Sequence, residues 1–478
     1  MRRTRIAALA CAAGFSASLV LSGTTIATAQ PMATAPKPAA VLGHWAKAIP
    51  VPGATALTKV TTWVNGVACA PGGLCALGGE YSSDTLGDGQ AFVATAHGGT
   101  WGKAIALPGT VGVTTNGGHS EVSAVSCAAV GYCVAGGGLA TGLDNGRAFV
   151  SVYKRGIWRQ PTIIPGLEDT LSEVLAVSCP SPGNCTVGGW FQQPTRLIQA
   201  FVADEVNGTW GHFQGLGVLE QLNSGGVAQV DSMSCGSPGE CVGSGFFLDD
   251  HGNQEAFFGH EVAGRWLNVQ TNPAVLSPSN ALSQSCVSSG DCEVVGTSQD
   301  ASGHAQAFEF PVSDGGEQLA TFIPGIASLN VGGNAGATAV SCPSAGNCVA
   351  GGYYTDMIGD QHAFIAEETG GTWGNAIAIP GIIGLNVLGV ANVQNISCPS
   401  AGNCAVSGFY TDAHGNEQIF VADEVNGTWG NATRLPGPAS TGNNSGAHVA
   451  CWSAGNCTAG GAIITSGHLQ ALVAAEHP

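Results

Sequence analysis

An all-β repeat fold is predicted by three features of this 478-residue sequence. Sixteen of its 17 cysteines form eight pairs, and the two members of every pair lie six positions apart. Glycine is frequent, at 73 residues, and no segment shows a sustained helical period of apolar residues. Short runs rich in β-branched and aromatic residues recur with the same period as the cysteine pairs. These features indicate a series of similar antiparallel sheets.

The cysteine pairs mark the repeat, because successive pairs begin 51 to 58 residues apart. In copies such as 341–348, the residues between the cysteines are Pro, Ser, Ala, Gly and Asn, a composition typical of a tight turn. Such a turn places its two cysteines opposite each other on neighbouring strands, as a disulfide requires. Zinc ribbons use a shorter Cys-x2-Cys spacing, so a metal site is the weaker interpretation. We predict eight disulfides: Cys69–Cys75, Cys127–Cys133, Cys179–Cys185, Cys235–Cys241, Cys286–Cys292, Cys342–Cys348, Cys398–Cys404 and Cys451–Cys457.

Each repeat is predicted to contain four strands. In one copy, residues 338–342 run into the cysteine turn, 348–355 leave it, and 363–368 and 372–379 follow after further turns. The third strand recurs with an Ala-Phe-Val-like start, and the fourth carries a tryptophan in most copies. These tryptophans are Trp101, Trp158, Trp210, Trp266, Trp373 and Trp429.

The two ends of the chain carry complementary parts of a repeat. The last repeat ends after its third strand, at 471–476, whereas residues 44–53 match the fourth strand of the other repeats. A ring closed by this N-terminal strand removes the exposed edges that an open row would leave. We therefore predict an eight-bladed β-propeller of four-stranded blades, with one disulfide hairpin per blade. A seven-bladed ring and a linear solenoid are the alternatives; ring closure requires Trp45 and Leu472 to share a sheet.

The first 29 residues are predicted to be a secretory signal peptide, with a basic start, an apolar segment and an Ala-Thr-Ala cleavage signal at 27–29. A transmembrane anchor is the alternative, but Gly14 and serines interrupt the apolar segment. An Ala/Pro-rich linker at 30–43 precedes a single propeller domain at 44–478. Because disulfides persist in oxidising compartments, we expect a secreted, extracellular protein.

The charge balance restricts the partners that the protein could bind. The chain has 32 acidic and only 14 basic residues, with a net charge of −18. Nucleic acids and anionic membrane surfaces are therefore excluded as partners. We expect a monomer that needs no cofactor and no metal, does not insert into a membrane, and binds an extracellular glycan or protein.

The hairpin between the third and fourth strands resembles the BNR/Asp-box repeats of sialidase-like propellers. Gly-Thr-Trp is kept at 208–210 and 427–429, whereas the Ser-x-Asp spacing of that motif is not. The whole repeat, over about 44–478, also resembles the Cys-paired repeats of secreted proteins from high-GC Gram-positive bacteria. Both resemblances imply a propeller and neither implies one activity. Sialidase activity itself is not expected, because the arginines do not occupy matching repeat positions for an arginine triad.

Two sets of polar residues are expected on the loop face, which carries the loops that enter the first strand and the turns between the second and third strands. Aspartates recur in those turns, either as hairpin residues or as calcium ligands. Asparagines recur in the long loops, and each either caps a turn or contributes to a ring of amides that binds a ligand at the channel mouth. The asparagines with this candidate ligand-binding role are Asn116, Asn223, Asn330 and Asn386.

Acidic residues concentrate in one long loop at Glu168, Asp169 and Glu173. Two carboxylates at a suitable separation could hydrolyse a glycosidic bond, although spacing in sequence does not give that distance. The segment from Gly118 to Val122 begins like a nucleophile elbow but lacks the closing glycine. We therefore predict a non-catalytic secreted propeller that binds carbohydrate, cell-wall polymer or protein through its loop face. The alternative is an extracellular glycoside hydrolase or lyase that uses the loop carboxylates.

Overall fold

The described residues form a closed ring of eight antiparallel sheets, which confirms the predicted eight-bladed β-propeller. The structure is a computed structural model. The first strands of neighbouring blades contact one another around the whole ring, the last blade and the first included. These first strands therefore surround the central axis. The structure describes residues 43–58, 60–82, 89–111, 118–140, 146–267, 269–271, 274–288, 290–312, 319–443 and 445–477.

The strands of each blade follow one another from the axis outward. Blade 1 contains Thr61–Ala70, Leu74–Ser82, Gly89–His97, Thr100–Trp101 and Ile105–Ala106. Blade 2 contains Ser120–Ala129, Tyr132–Leu139, Arg147–Lys154, Ile157–Trp158 and Thr162–Ile163. Blade 3 contains Ser172–Ser181, Asn184–Gln192, Ile198–Val206, Thr209–Trp210 and Gln214–Gly215. Blade 4 contains Ala228–Ser237, Glu240–Leu248, Gln254–Val262 and Arg265–Trp266.

The second half of the ring repeats this plan. Blade 5 contains Leu276–Ser288, Asp291–Gln299, Ala305–Val312 and Thr321–Phe322. Blade 6 contains Gly336–Ser344, Asn347–Thr355, Gln361–Thr369, Thr372–Trp373 and Ile377–Ala378. Blade 7 contains Ala391–Ser400, Asn403–Thr411, Glu417–Val425, Thr428–Trp429 and Thr433–Arg434. Blade 8 contains Ser445–Ser453, Asn456–Thr465, His468–His477, His44–Trp45 and Ile49–Pro50. One-turn helices precede the first strand in four blades, at Ala54–Leu57, Leu219–Leu222, Ile326–Leu329 and Ile382–Leu385.

The fourth strand differs from the prediction, because in most blades it consists of two short segments rather than one continuous strand. In blade 6, Thr372–Trp373 and Ile377–Ala378 both pair with the third strand, and residues 374–376 interrupt the pairing. The Ala376 N–H donates instead to the carbonyl of Pro324, which follows the fourth strand of blade 5. Ala432 of blade 7 donates to Pro380 of blade 6 in the same way. At these positions the backbone N–H of the fourth strand therefore donates to the adjoining blade instead of to its own sheet.

The N-terminal strand closes the ring as predicted. Trp45 pairs with Glu476, and Pro50 pairs with Leu472, so both ends of the described chain lie in blade 8. The Trp45 indole Nε1 also donates to Asp423 Oδ2 of blade 7 at 2.9 Å. The closing strand therefore completes one blade and bonds to the preceding one.

The core is divided into apolar layers between neighbouring blades. The layer between blades 8 and 1, for example, combines Val64, Leu77 and Phe92 with Ala471 and Val473. The phenylalanine of the Ala-Phe third-strand motif is fully buried in six blades, which explains why that motif recurs. These residues are Phe92, Phe149, Phe201, Phe257, Phe364 and Phe420.

The cysteine turns also connect adjacent blades. All eight predicted disulfides are present, each between cysteines six positions apart. The serine before the first cysteine accepts a hydrogen bond from the backbone N–H of the first cysteine of the next blade. In one such contact, Cys398 N donates to Ser341 Oγ at 3.0 Å. The other acceptors are Ser126, Ser178, Ser234, Ser285 and Ser397. Within the described ranges, no helix is long and apolar enough to cross a membrane.

We predict that Trp45→Phe lowers the free energy of unfolding by about 1–3 kcal/mol, because the partly buried carboxylate of Asp423 loses a hydrogen-bond donor. Trp158→Phe is the matched control, since the Trp158 indole Nε1 is buried and has no hydrogen-bond partner among the described residues. Urea denaturation of both variants with the disulfides intact measures the difference. Equal losses in the two variants would contradict the role of the Trp45 hydrogen bond.

We also predict that Ser341→Ala lowers the free energy of unfolding by roughly 1–3 kcal/mol, because it leaves the N–H of the buried Cys398 without its acceptor. Ser341→Thr retains a hydroxyl and is expected to keep most of the stability. The same denaturation measurement compares the two, and an unchanged Ser341→Ala would show that the inter-blade serine contact is dispensable.

Candidate functional site

Acidic residues from three consecutive blades lie in one layer near the loop face. Each blade contributes two residues to this layer. One lies on the first strand, six positions before the first cysteine, and the other is the second-strand residue that pairs with it. In blades 1 to 3 these pairs are Trp63–Glu80, Glu121–Gly138 and Glu173–Trp190. In blades 4 to 8 they are Gln229–Phe246, Asn280–Thr297, Gly336–Tyr353, Asn392–Phe409 and Ser445–Ala462. Carboxylates therefore occupy this layer only in blades 1 to 3, and the ring is chemically asymmetric.

His119 connects two of these carboxylates. Its Nδ1 lies 3.3 Å from Glu80 Oε1, and its Nε2 lies 3.2 Å from Glu121 Oε1. The Glu80 side chain is only 3% exposed, whereas that of His119 is 44% exposed, so the imidazole is the part of the pair that meets solvent. Hydrogen bonding to Glu121 and the charge of Glu80 raise the pKa of His119. These contacts favour the protonated form of the His119 imidazole.

Glu121 and Glu173 form a hydrogen-bonded carboxyl pair between blades 2 and 3. Burial, together with the charge of Glu121, raises the pKa of Glu173 to about 7. The hydrogen bond from His119 helps to lower the pKa of Glu121 despite its burial. A proton shared by the pair is therefore favoured on Glu173 rather than on Glu121.

Neighbouring polar side chains orient the pair. Asn65 Nδ2 of blade 1 donates to Glu121 Oε2 at 3.2 Å, and Ser123 Oγ of blade 2 donates to Glu173 Oε1 at 2.9 Å. The Trp190 indole also donates to Glu173. Each carboxylate is thus held by a donor from the preceding blade. We call Glu80, His119, Glu121 and Glu173 the channel-mouth cluster.

Local backbone features allow these close contacts. The first strand of blade 3 has a β-bulge between Val174 and Ala176, directly after Glu173. A Cβ at Gly189 would lie 1.9 Å from the Glu173 carbonyl oxygen, so only glycine fits opposite the bulge. A Cβ at Gly89 would lie 1.8 Å from Glu80 Oε1 and 2.4 Å from His119 Nδ1. Glycine is therefore required by the bulge at position 189, and at position 89 it leaves room for the contact between Glu80 and His119.

The chemistry of the channel-mouth cluster favours binding over glycoside hydrolysis. Glycosidases keep their two carboxyl groups about 5–9.5 Å apart, so that a sugar carbon or a water fits between them. Glu121 and Glu173 are in direct hydrogen-bond contact instead. Near neutral pH the cluster offers both O–H and N–H donors and carboxylate acceptors. It can thus bind hydroxyl groups.

In the structure, the three acidic residues predicted to share one loop lie in two different environments. Glu168 and Asp169 lie in the exposed turn before the first strand of blade 3, and Glu168 Oε2 accepts the Gly166 N–H at 2.9 Å. This backbone hydrogen bond and others lower the pKa of Glu168. Glu173 contacts Glu121 and Ser123. The partner of Glu173 is therefore a residue of the neighbouring blade.

The described loop asparagines act as buried caps. Asn223, Asn330 and Asn386 each follow a one-turn helix and are only 2–3% exposed. Their Nδ2 atoms donate to the backbone carbonyls of Ile198, Ala305 and Gln361, each at 2.8 Å. These contacts correspond to the turn-capping role, and the ligand-binding role of these asparagines stays a prediction. Asn116 lies outside the described residues.

The turn aspartates also serve the backbone. Asp249 Oδ1 accepts the N–H groups of His251 and Asn253, each at 2.8 Å. Asp300, Asp356 and Asp412 accept the equivalent pairs of N–H groups. Two of these turns bring acidic groups and a histidine close enough to hold a cation, as does the Glu80–His119–Glu121 group. The backbone hydrogen bonds alone account for the recurring Asp.

No protein-family model matches the sequence, and no curated protein matches it. Among solved structures, the chain is similar to a Hadza microbial sialidase, at 11% identity over 81% of this chain and 73% of that one, with a TM-score of 0.37. A protein of unknown function from Dyadobacter fermentans matches at 10% identity over 91% and 98% of the two chains, with a TM-score of 0.39. A Trypanosoma rangeli sialidase in complex with the inhibitor DANA matches at 10% identity over 78% of this chain and 56% of its own, with a TM-score of 0.33. At such scores none of them supports a function, and the resemblance to high-GC Gram-positive proteins stays a prediction.

We predict that Glu80→Gln reduces the loss of stability at alkaline pH. Burial raises the pKa of Glu80 from 4.5 to about 8, so the folded state keeps a proton that the unfolded state releases. This stabilisation is complete below about pH 4.5 and is lost as the pH rises through about 8. The wild-type melting temperature should therefore fall more between pH 5 and pH 9 than that of Glu80→Gln, by roughly 2–4 °C.

Glu168→Gln is the control for this measurement, because the Glu168 side chain is exposed. It is expected to keep the wild-type pH dependence of the melting temperature. Identical pH profiles for wild type and Glu80→Gln would show that Glu80 is not protonated in the folded protein.

Proposed function

We propose that the protein is a non-catalytic, extracellular propeller that binds carbohydrate at its loop face, with the channel-mouth cluster as the sugar-binding site. The observation that carries this proposal is the placement of Glu80, Glu121 and Glu173 from three adjacent blades around the half-exposed His119. Polysaccharides of a cell wall belong to the same ligand class.

Two properties of the cluster support a sugar ligand. Hydroxyl groups of a sugar both donate and accept hydrogen bonds, and the cluster supplies both partners near neutral pH. Trp63 pairs with Glu80, and Trp190 pairs with Glu173, so an aromatic side chain accompanies two of the carboxyl groups. Both tryptophans are partly exposed, and an aromatic surface beside a few polar groups is typical of small-molecule sites.

The extracellular location rests on two observations. Eight disulfides in one chain are typical of an oxidising compartment. The predicted signal peptide at residues 1–29 supplies the route of export.

One observation favours the alternative, an extracellular glycoside hydrolase or lyase. Glu173 has a pKa of about 7 beside the ionised Glu121, and a carboxyl group of raised pKa suits a general acid. The direct contact between the two groups argues against that role, because it leaves no space for the reacting bond.

The test is a glycan array followed by titration calorimetry with the best oligosaccharide. We expect Glu121→Gln and Glu173→Gln to weaken binding about 10- to 100-fold, as expected for the loss of hydrogen bonds to charged groups. Glu168→Gln should bind like the wild type, and no variant should release reducing ends from polysaccharides. Undiminished binding by both cluster variants would refute the site, and turnover that depends on Glu173 would establish the enzyme instead.

A further inference from the structure

A cavity of about 580 Å³ lies between blades 3 and 4, on the face of the ring that carries the cysteine turns. The cysteine turns of both blades contribute Pro180 and Pro238 to its wall. The ends of the third strands contribute Glu205 and Glu261, and the fourth strand of blade 3 contributes Trp210. Its volume lies within the range of about 300–1,000 Å³ that is typical of small-molecule sites.

Glu261 is a buried polar group of this cavity whose carboxylate is not fully hydrogen-bonded. The residue is 2% exposed and lines the cavity, and its Oε2 has no hydrogen-bond partner among the described residues. A buried carboxylate oxygen without a donor is costly, since desolvation is not compensated by a hydrogen bond. A ligand with a donor group would supply the missing partner.

Other carboxylates surround Glu261. Asp204 lines the same cavity, accepting hydrogen bonds from Thr186 and Trp266, and Glu240 interacts with Glu261 electrostatically. The buried Oε2 of Glu240 also lacks a partner in the described part of the chain. None of the three carboxylates forms an ion pair with a described lysine or arginine. Glu261, Asp204 and Glu240 are therefore carboxyl groups without a lysine or arginine partner in the described part of the chain, whereas Glu205 in the same wall interacts with Lys154.

The equivalent position in blade 8 is closed. Glu476 occupies the same place in its third strand as Glu261, opposite the tryptophan of the fourth strand. There the backbone of Gly43 covers the carboxylate so closely that a Cβ on Gly43 would lie 1.8 Å from Glu476 Oε1. The same buried glutamate is thus covered by the chain in blade 8 and faces a cavity in blade 4.

We propose that the cavity between blades 3 and 4 binds a primary alkylammonium group, with Glu261 as its carboxylate partner and Trp210 as part of its wall. An ammonium group supplies three donors and one positive charge, which match the unpaired oxygens and the charge of the site. An alkyl chain suits the aromatic wall, and an ammonium group near an aromatic face gains a further attraction. The ammonium group belongs either to a free diamine or to a lysine side chain of a peptide.

Binding of such a group displaces a proton. Burial and the charges of Asp204 and Glu240 raise the pKa of Glu261 to about 8, so Glu261 is largely protonated at pH 7 before a ligand binds. The other ionisable residues lining the cavity are Glu205 and His212. A bound ammonium favours the ionised carboxylate, and the proton is released to the buffer.

The test uses titration calorimetry of the intact, disulfide-bonded protein with 1,5-diaminopentane and with Nα-acetyl-lysine methylamide; 1-pentanol is the neutral control. We expect saturable binding of the diamine, at least tenfold weaker in Glu261→Gln and unchanged in Glu476→Gln. Glu476→Gln is the matched control, because it removes the same carboxylate from the closed position. Circular dichroism of each variant confirms that it is folded.

Each outcome either tests the proposal or identifies the source of the ammonium group. Binding of both amines assigns the site to lysine side chains as well as free diamines, and binding of the diamine alone assigns it to free diamines. No saturable binding, equal binding by Glu261→Gln, or equal binding of 1-pentanol would overturn the proposal. This site lies on the face opposite the channel-mouth cluster, so its failure leaves the carbohydrate proposal untouched.

Discussion

The ring depends on the contact that every blade makes with both of its neighbours, because each blade buries its apolar side chains only between two other sheets. The last blade must therefore meet the first, and the N-terminal strand makes this possible by pairing Trp45 with Glu476. Polar contacts follow the same plan: Thr62 Oγ1 of blade 1 accepts the Ala471 N–H of blade 8 at 2.9 Å. The contact between first and last blades repeats the contacts elsewhere in the ring, so closure adds no new kind of interaction.

A scaffold of repeated blades leaves certain positions free to differ. The layer near the loop face has the same backbone pairing in every blade, yet its side chains are carboxylates in blades 1 to 3 and amides or small and aromatic residues elsewhere. The glycine opposite the bulge, as at Gly189, serves the backbone and recurs with it. Glu121 and Glu173 are not needed for the bulge. Their asymmetry therefore supports the proposed ligand site rather than a role in the bulge.

Most of the fold could be predicted because its signals are periodic. The cysteine spacing predicted the hairpins, and the match of residues 44–53 to other fourth strands predicted closure. The split of the fourth strand was missed, because it depends on a hydrogen bond to another repeat, such as that from Ala376 to Pro324. The Glu121–Glu173 pair was also missed, although both residues lie six positions before a first cysteine. When the repeats are aligned on their cysteines, Glu121 and Glu173 occupy equivalent positions in neighbouring blades.

Buried carboxylates in a chain with few cations connect the two proposed sites. Burial raises the pKa values of Glu80 and Glu261 to about 8, so both groups carry protons in the folded protein at neutral pH. The two sites differ in the group that lies against the buried carboxyl group. At the channel mouth His119 Nδ1 already lies 3.3 Å from Glu80 Oε1, so we propose a neutral ligand there. Glu261 forms no ion pair with a described lysine or arginine, so in our proposal the positive charge comes from the ligand. The same buried residue type thus favours a sugar on one face of the ring and an amine on the other.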